Sequence, residues 1–229
     1  MYRIISLLIG YCLGMIQTSY IVGKASGIDI REHGSKNAGF TNTNRVLGVK
    51  KGAIVFVVDI FKAVAAFAIA TLVYNHFFAE RVYVEYPSYG LFSLAAAGGT
   101  FFATSHVLPG LYASIGAIIG HVFPAFLKFK GGKGVACVLG LVIMLDWRVM
   151  LISFAFGILA VVVTRFISVA SLGISLFVVV LVVVLGYPAE VIALAAGLCV
   201  LIWFLHRDNI RRLLARQENK FSLKRNANN

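Results

Sequence analysis

Seven stretches of mostly apolar residues follow one another along the chain, separated by short runs of glycine, polar and charged residues. A helix needs about 20 apolar residues to cross ~30 Å of hydrocarbon at ~1.5 Å per residue. The pattern predicts such helices over residues 4 to 23, 52 to 76, 108 to 127, 132 to 147, 149 to 165, 167 to 187 and 188 to 205. The fourth is the shortest. Its apolar core runs from Gly134 to Leu145 and reaches spanning length only with the glycine-rich entry and Trp147. Residues 77 to 107 do not fit the pattern, starting polar (Glu80, Arg81, Glu85, Pro87) and turning small and apolar from Leu91 to Thr104.

Composition turns this pattern into a class. Of 229 residues, 60% are hydrophobic and 13% charged, against ~25% charged in soluble domains, and the mean hydropathy is +0.89. Thirty charged side chains are too few to cover a water-soluble protein of this size. The same apolar content excludes disorder, and 22 glycines without a repeat period exclude a collagen-like chain. Cys12, Cys137 and Cys199 sit inside apolar runs without disulfide or zinc spacing, and are expected to be small core residues. Arg3 precedes the first apolar run, and no small-residue cleavage site follows, so a first membrane span is expected rather than a removed leader.

The net charge of +12 has a topological explanation. Seventeen of the 21 Lys and Arg fall in alternate loops and the tail: residues 24 to 51, residues 128 to 133, Arg165, and the stretch from Arg207 onward. The positive-inside bias then predicts an outside N-terminus, seven transmembrane helices and a cytoplasmic C-terminus. A crossing within 77 to 107 would break that parity, so an extra re-entrant or interfacial segment on the outer face is expected there. No nucleic-acid recognition module is visible. The resulting expectation is an all-α integral membrane protein, with residues 1 to 218 as one multi-pass domain and 219 to 229 as a polar cytoplasmic tail.

Three polar runs at predicted cytoplasmic turns carry the chemistry. Gly34-Ser35-Lys36-Asn37-Ala38-Gly39-Phe40-Thr41-Asn42-Thr43-Asn44-Arg45 combines glycines that admit an anion to backbone N–H groups with hydroxyl and amide donors and two cations. It reads as a phosphate cradle or as a solvated turn with positive-inside charge. In Gly120-His121 to Gly134-Val135, the glycines Gly131, Gly132 and Gly134 surround Lys133 at a helix N-terminus, which attracts phosphate. A tight basic turn is the plainer reading, and a nucleotide P-loop is a poor match because Lys133 is followed by glycine. The third run, His206 to Leu214 with Glu218 beyond, suits an interfacial helix on anionic lipid, with His206 and Asn209 on one face. Asp59 and Lys62, three apart inside the second span, are expected to form an ion pair that orients helices, with a proton relay as the alternative. His76 and His106 show no ligand spacing, and no metal site or cofactor is expected.

These runs resemble the three motifs of the bacterial acyl-phosphate:glycerol-3-phosphate acyltransferases of the PlsY type. GSKNAGFTNTNR is similar to the family's GSxNxGxTNxxR, GHVFPAFLKFKGGKGVA to GHxFPxFxxFKGGKGVA, and HRDNIRRLLARQE to HxxNIxRLxxGxE, while TRFISVAS resembles a further family segment. Arg216 stands where the third motif usually has glycine and Cys137 where the second often has threonine, and the 77 to 107 insertion has no counterpart. The resemblance implies seven spans and transfer of a fatty acyl group from acyl phosphate to the C1 hydroxyl of glycerol 3-phosphate, giving lysophosphatidate and phosphate. It implies membrane lipids as surroundings and the soluble enzyme that makes acyl phosphate as a partner. Carried over by position, Ser35, Arg45 and Lys133 are expected to hold phosphate, with Gly131, Gly132 and Gly134 opening backbone donors to it. Gly34, Asn37, Thr41 and Asn42 shape the first loop, Ser168, His206 and Asn209 complete the pocket, and Glu218 anchors the basic loops. His121 either orients the acceptor hydroxyl, works as general acid or base, or makes a structural helix-end hydrogen bond. A transporter for an anionic metabolite is the rival reading, weakened because the polar motifs lie at one face instead of the midplane.

Overall fold

The computed structural model describes residues 1–78 and 107–221, all of it helix, turn and loop with no strand among the described residues. Among the described residues ten α-helices follow in order: α1 (Tyr2–Gly14), α2 (Thr18–Lys24), α3 (Phe40–Leu47), α4 (Val49–Phe78), α5 (Val107–Val122), α6 (Val135–Leu145), α7 (Trp147–Thr164), α8 (Ile167–Val184), α9 (Ala189–Leu205) and α10 (Arg207–Leu214). The outer re-entrant or interfacial segment expected from the sequence lies, over 79–106, outside the described residues.

Among the described residues five segments are long and apolar enough to cross a membrane: α1 with α2, α4, α5 with the turn after it, α7, and α8. The α9–α10 pair, bent by 58°, adds a sixth if the two helices are counted as one span. The expected fourth span is shorter than predicted. α6 has 11 residues, about 16 Å at ~1.5 Å per residue, because Lys133 and Gly134 ahead of it belong to a loop.

The core forms around α5, flanked by α4, α6 and α1. α1 lies along α5 on small residues: a Cβ at Gly10 or Gly14 would collide with the α5 backbone at Ala113 or Ala117, and one at Gly116 or Gly120 with the α1 backbone. Two such glycine pairs four residues apart let the helix axes approach closely, the usual means of helix association where lipid removes the hydrophobic drive. α7 and α8 pair through Gly157 against Ile174 and Gly173 against Phe156. Their other faces carry exposed Val162, Val163, Val180 and Val184, as lipid-facing surfaces do. Cys137 is buried and Cys199 half-buried as expected, but Cys12 faces outward from α1.

The two ends of the bundle differ. At one end Glu190, in the first turn of α9, receives Arg3 Nε at 2.9 Å and the Tyr112 hydroxyl at 2.6 Å, tying α9 to α1 and α5. Beside it Asp146 caps α7 through the Arg148 N–H at 2.7 Å and also receives the Arg148 guanidinium and the Tyr187 hydroxyl. The other end gathers the three motif runs around a cavity.

Candidate functional site

The first run is folded from within. Asp29 caps a 3-10 turn over Ile30–Glu32 and receives Arg31 through both backbone and guanidinium, which holds its carboxyl down at about 2. The chain then reverses through Gly34 and Lys36, both at positive φ. A side chain at Gly34 would strike Asn42. Asn42 is fully buried: its Oδ1 accepts the Ser35 N–H at 2.8 Å, and its Nδ2 donates to the Ile30 and His33 carbonyls at 3.0 Å each. Asn42 is therefore the internal staple of the loop. It leaves the Ser35 side chain, Asn37, Thr41 and Arg45 facing the cavity, the last two one turn apart on α3.

The second run departs from its expected chemistry. Gly131 N–H donates to the Val122 carbonyl and Gly132 N–H to the His121 carbonyl, both at 3.1 Å, folding the loop back on the end of α5. These two glycines are required by close packing, since a Cβ at Gly131 would meet the His121 carbonyl and one at Gly132 the His121 ring. Their N–H groups are occupied and neither residue lines the cavity, so the expected role as phosphate donors does not follow from this geometry. Lys133 and Gly134 do line it, together with Val135 and Ala136 of the first turn of α6. First-turn N–H groups lack intrahelical acceptors and attract anions.

The third run enters at the bend between α9 and α10. His206 sits at that bend with Nδ1 2.8 Å from the Ile202 carbonyl. Burial and the neighbouring Lys133 push its pKa down to about 4, so it is neutral near pH 7. Asn209 accepts a hydrogen bond from Lys133 and donates to Glu218 at 2.7 Å. Glu218 also receives Ser168 at 3.1 Å and Arg212 at 2.7 Å, which joins the second run, α8 and α10 in one network. Beyond it the Phe221 N–H reaches the Arg165 carbonyl at 2.6 Å, and the Phe221 ring lies 6.1 Å from that of Phe40.

Together these elements enclose a cavity of about 590 Å³. Ser35, Asn37, Thr41, Arg45, His121, Lys133, Gly134, Ser168, His206, Asn209 and Glu218 line it, whereas Gly34, Asn42, Gly131 and Gly132 stand behind it. Lys36, Arg45, Lys133 and Arg212 line it together with Asp59, Asp208 and Glu218. Arg45 makes no hydrogen bond or ion pair among the described residues, and burial lowers its pKa from the ordinary value. Lys133, in the loop ahead of α6, is lowered to about 8 by burial and by Arg212. The remaining wall is apolar, running from Leu139 along Ile158, Val161 and Val162 of α7, and the last two of these are also partly or fully exposed on the outer surface. Sequence reasoning missed this flank, as well as Arg212, Asn219 and Phe221. Only the amphipathic spacing of Ile210, Leu213 and Leu214 hinted that α10 turns its polar face inward.

A helical membrane bundle with a cavity at one end that holds Arg45 and Lys133 and opens along an apolar flank defines an integral membrane protein. The family profile described as glycerol-3-phosphate acyltransferase matches residues 4–216. Glycerol-3-phosphate acyltransferases of Endomicrobium trichonymphae and of Thermoanaerobacter sp. (strain X514) are 36% and 34% identical, over 96% and 98% of both chains. Crystal structures of PlsY (YgiH), an integral membrane glycerol 3-phosphate acyltransferase, are similar at TM-scores of 0.77 for the glycerol 3-phosphate form and 0.74 for the lysophosphatidic acid form. Each is 30% identical and covers 96% of both chains. The chain belongs to the glycerol-3-phosphate acyltransferase family and is a membrane acyltransferase of phospholipid synthesis.

Proposed function

We propose that the chain transfers a fatty acyl group from acyl phosphate to the C1 hydroxyl of sn-glycerol 3-phosphate. The carbonyl carbon gains a bond to the hydroxyl oxygen and loses its bond to the phosphate oxygen. The hydroxyl proton ends on the released hydrogen phosphate, and 1-acyl-sn-glycerol 3-phosphate is the second product. The observation that carries this reading is the joining, in one cavity, of the half-buried Arg45 and Lys133 to the apolar flank of α7. Both substrates bring phosphate, which suits paired cations and hydroxyl donors. The acyl chain suits the flank that opens toward lipid.

In this reading Ser35, Arg45 and Lys133 hold phosphate oxygens, with the N-terminus of α6 at Gly134 supplying dipole and N–H groups. Asn37, Thr41, Ser168 and His206 complete the pocket wall, Asn209 orients the acceptor, and Glu218 holds Asn209, Ser168 and Arg212 in place. An acyl phosphate is a mixed anhydride with a good leaving group, so positioning and charge stabilisation suffice and no protein nucleophile is required. The crystal forms of PlsY named for glycerol 3-phosphate and lysophosphatidic acid support the acceptor and the product.

The same reading places the protein in the bacterial inner membrane with seven crossings, α6 and the loop before it making the short one. The N-terminus is outside, the cavity faces the cytosol, and the soluble acyl-phosphate-forming enzyme is a partner. Purified protein offered palmitoyl phosphate, palmitoyl-CoA or palmitoyl carrier protein in parallel should acylate glycerol 3-phosphate only from the first. Equal use of a thioester donor overturns the reading. A cysteine placed at residue 36 should react in intact cells only with membrane-permeant reagents, and labelling by an impermeant one reverses the orientation.

A further inference from the structure

Asp59 and His121 at the floor of the cavity, with Lys62 behind them, form a cluster whose hydrogen bonds can be counted. Lys62, buried in α4, places Nζ 2.9 Å from the Ile16 carbonyl, 2.9 Å from Asp59 Oδ1 and 2.8 Å from His121 Nδ1. An ammonium has three protons and no lone pair. Three acceptors in reach account for all three protons, and the one aimed at His121 requires a lone pair on Nδ1. The alternative, an Nδ1–H donated to Asp59 Oδ1, spans 3.6 Å, beyond hydrogen-bonding range. Asp59 Oδ1 is otherwise used by Lys62 and by the Thr18 hydroxyl at 3.3 Å.

The ring is held on its backbone side as well. The His121 carbonyl accepts Gln17 Nε2 at 2.7 Å and the Gly132 N–H at 3.1 Å. The Nε2 edge lies against the bare Cα of Gly132, where any side chain would collide with it. His121 lines the cavity, and its Nε2 has no hydrogen-bond partner among the described residues. His206 shows the opposite arrangement in the same cavity. Its Nδ1 faces a carbonyl and must carry the proton, which leaves a lone pair on Nε2.

We infer that His121 is a neutral hydrogen-bond donor, fixed as the Nε2–H form by Lys62, and that it donates to an oxygen of the bound acyl-phosphate group instead of acting as a general base. Lys62 and Asp59 are positioning residues that act through the ring. A base at this position would need its free lone pair on the cavity side, and the ammonium behind it occupies the only lone pair the neutral ring has. As negative charge moves onto the carbonyl and phosphate oxygens during transfer, a preoriented N–H costs no reorganisation. The inference rests on the acyl-phosphate reading above, and it gives His121 a role different from the acceptor-orienting, acid–base and helix-end roles expected from the sequence.

Nitrogen-15 NMR of histidine-labelled protein in lipid nanodiscs tests it directly. His121, assigned by the signal lost in His121→Gln, should show a pyridine-type Nδ1 and a pyrrole-type Nε2 with no variant of the network needed. A pyrrole-type Nδ1, the pattern of His206, overturns the inference. In the same preparations His121→Ala should lower kcat by about 100-fold with KM little changed, the usual size of losing one oxyanion donor. His121→Gln, which keeps an N–H, should recover part of that loss. Lys62→Met should mix the two ring forms in the spectrum and lower kcat while KM for glycerol 3-phosphate holds. An unchanged spectrum in folded Lys62→Met removes Lys62 from the role. If acyl phosphate proves not to be the donor, the functional reading fails whatever the spectrum shows. If it is the donor and Nδ1 carries the proton, only the present inference fails.

Discussion

The two ends of the bundle use charge in opposite ways. Away from the cavity two arginines among the described residues each meet a carboxylate, Arg3 with Glu190 and Arg148 with Asp146, and a tyrosine hydroxyl completes each cluster. Around the cavity Asp59, Asp208 and Glu218 stand among the cations, yet Arg45 and Lys133 form no ion pair among the described residues. Saturated pairs fasten helices. Under-neutralised cations, half-buried and held in place, raise the free energy of the empty protein and lower that of its complex with a dianion, so the cost in stability reappears as affinity.

The sharpest way to break this contrast is to remove a cation at the cavity. Lys133→Ala should cause the largest loss, because it deletes both a phosphate contact and the hydrogen bond that holds Asn209. A charge-assisted contact of roughly 1.5 to 3 kcal/mol corresponds to about a 10- to 150-fold loss in kcat/KM, and Lys133→Ala should fall at the upper end in a phosphate-release assay. Arg45→Ala should follow with a loss of about 10-fold or more, carried by KM. Unchanged kinetics in either removes that side chain from the site.

A smaller effect comes from pH. Lys133 titrates at about 8 in the free protein, so its charge is present below that pH and lost above it. Affinity for glycerol 3-phosphate should fall as pH rises through about 8, with the midpoint moved upward in the complex because a bound dianion favours the ammonium. Lys133→Arg, which keeps its charge at all accessible pH, should flatten that limb in a plot of KM against pH. The smallest expected change is at the far end. Arg3→Gln opens a partly exposed pair and should leave kcat and KM unaltered while lowering the thermal midpoint slightly. A kinetic effect there would show that the two ends are coupled.

Much of the helix plan was legible because hydrophobic runs are local. The starts and ends of α4, α7 and α8 lie close to the predicted limits. The break of the first span at Met15–Gln17 was not, since Gln17 is buried there by a bond to His121, more than 100 residues away. α3 escaped notice because Phe40–Leu47 is polar on most faces and is held by Asn42, not by an apolar stripe. Residue types announced an anion site, and eleven of the fifteen named positions line one cavity. Gly131 and Gly132 carried the same signal for a different reason: close approach to His121 demands glycine as firmly as an anion does. The glycine pairs of α1 and α5 were visible at four-residue spacing, although only packing shows that they face each other. The link from Lys62 to His121 had no local signature at all.

The hydrogen bond from Phe221 to Arg165 has a consequence for how the protein comes into being. One side of the cavity closes only when the segment around residue 221 folds back on the turn between α7 and α8, so a fusion joined immediately behind this residue would compete with the wall it has to form.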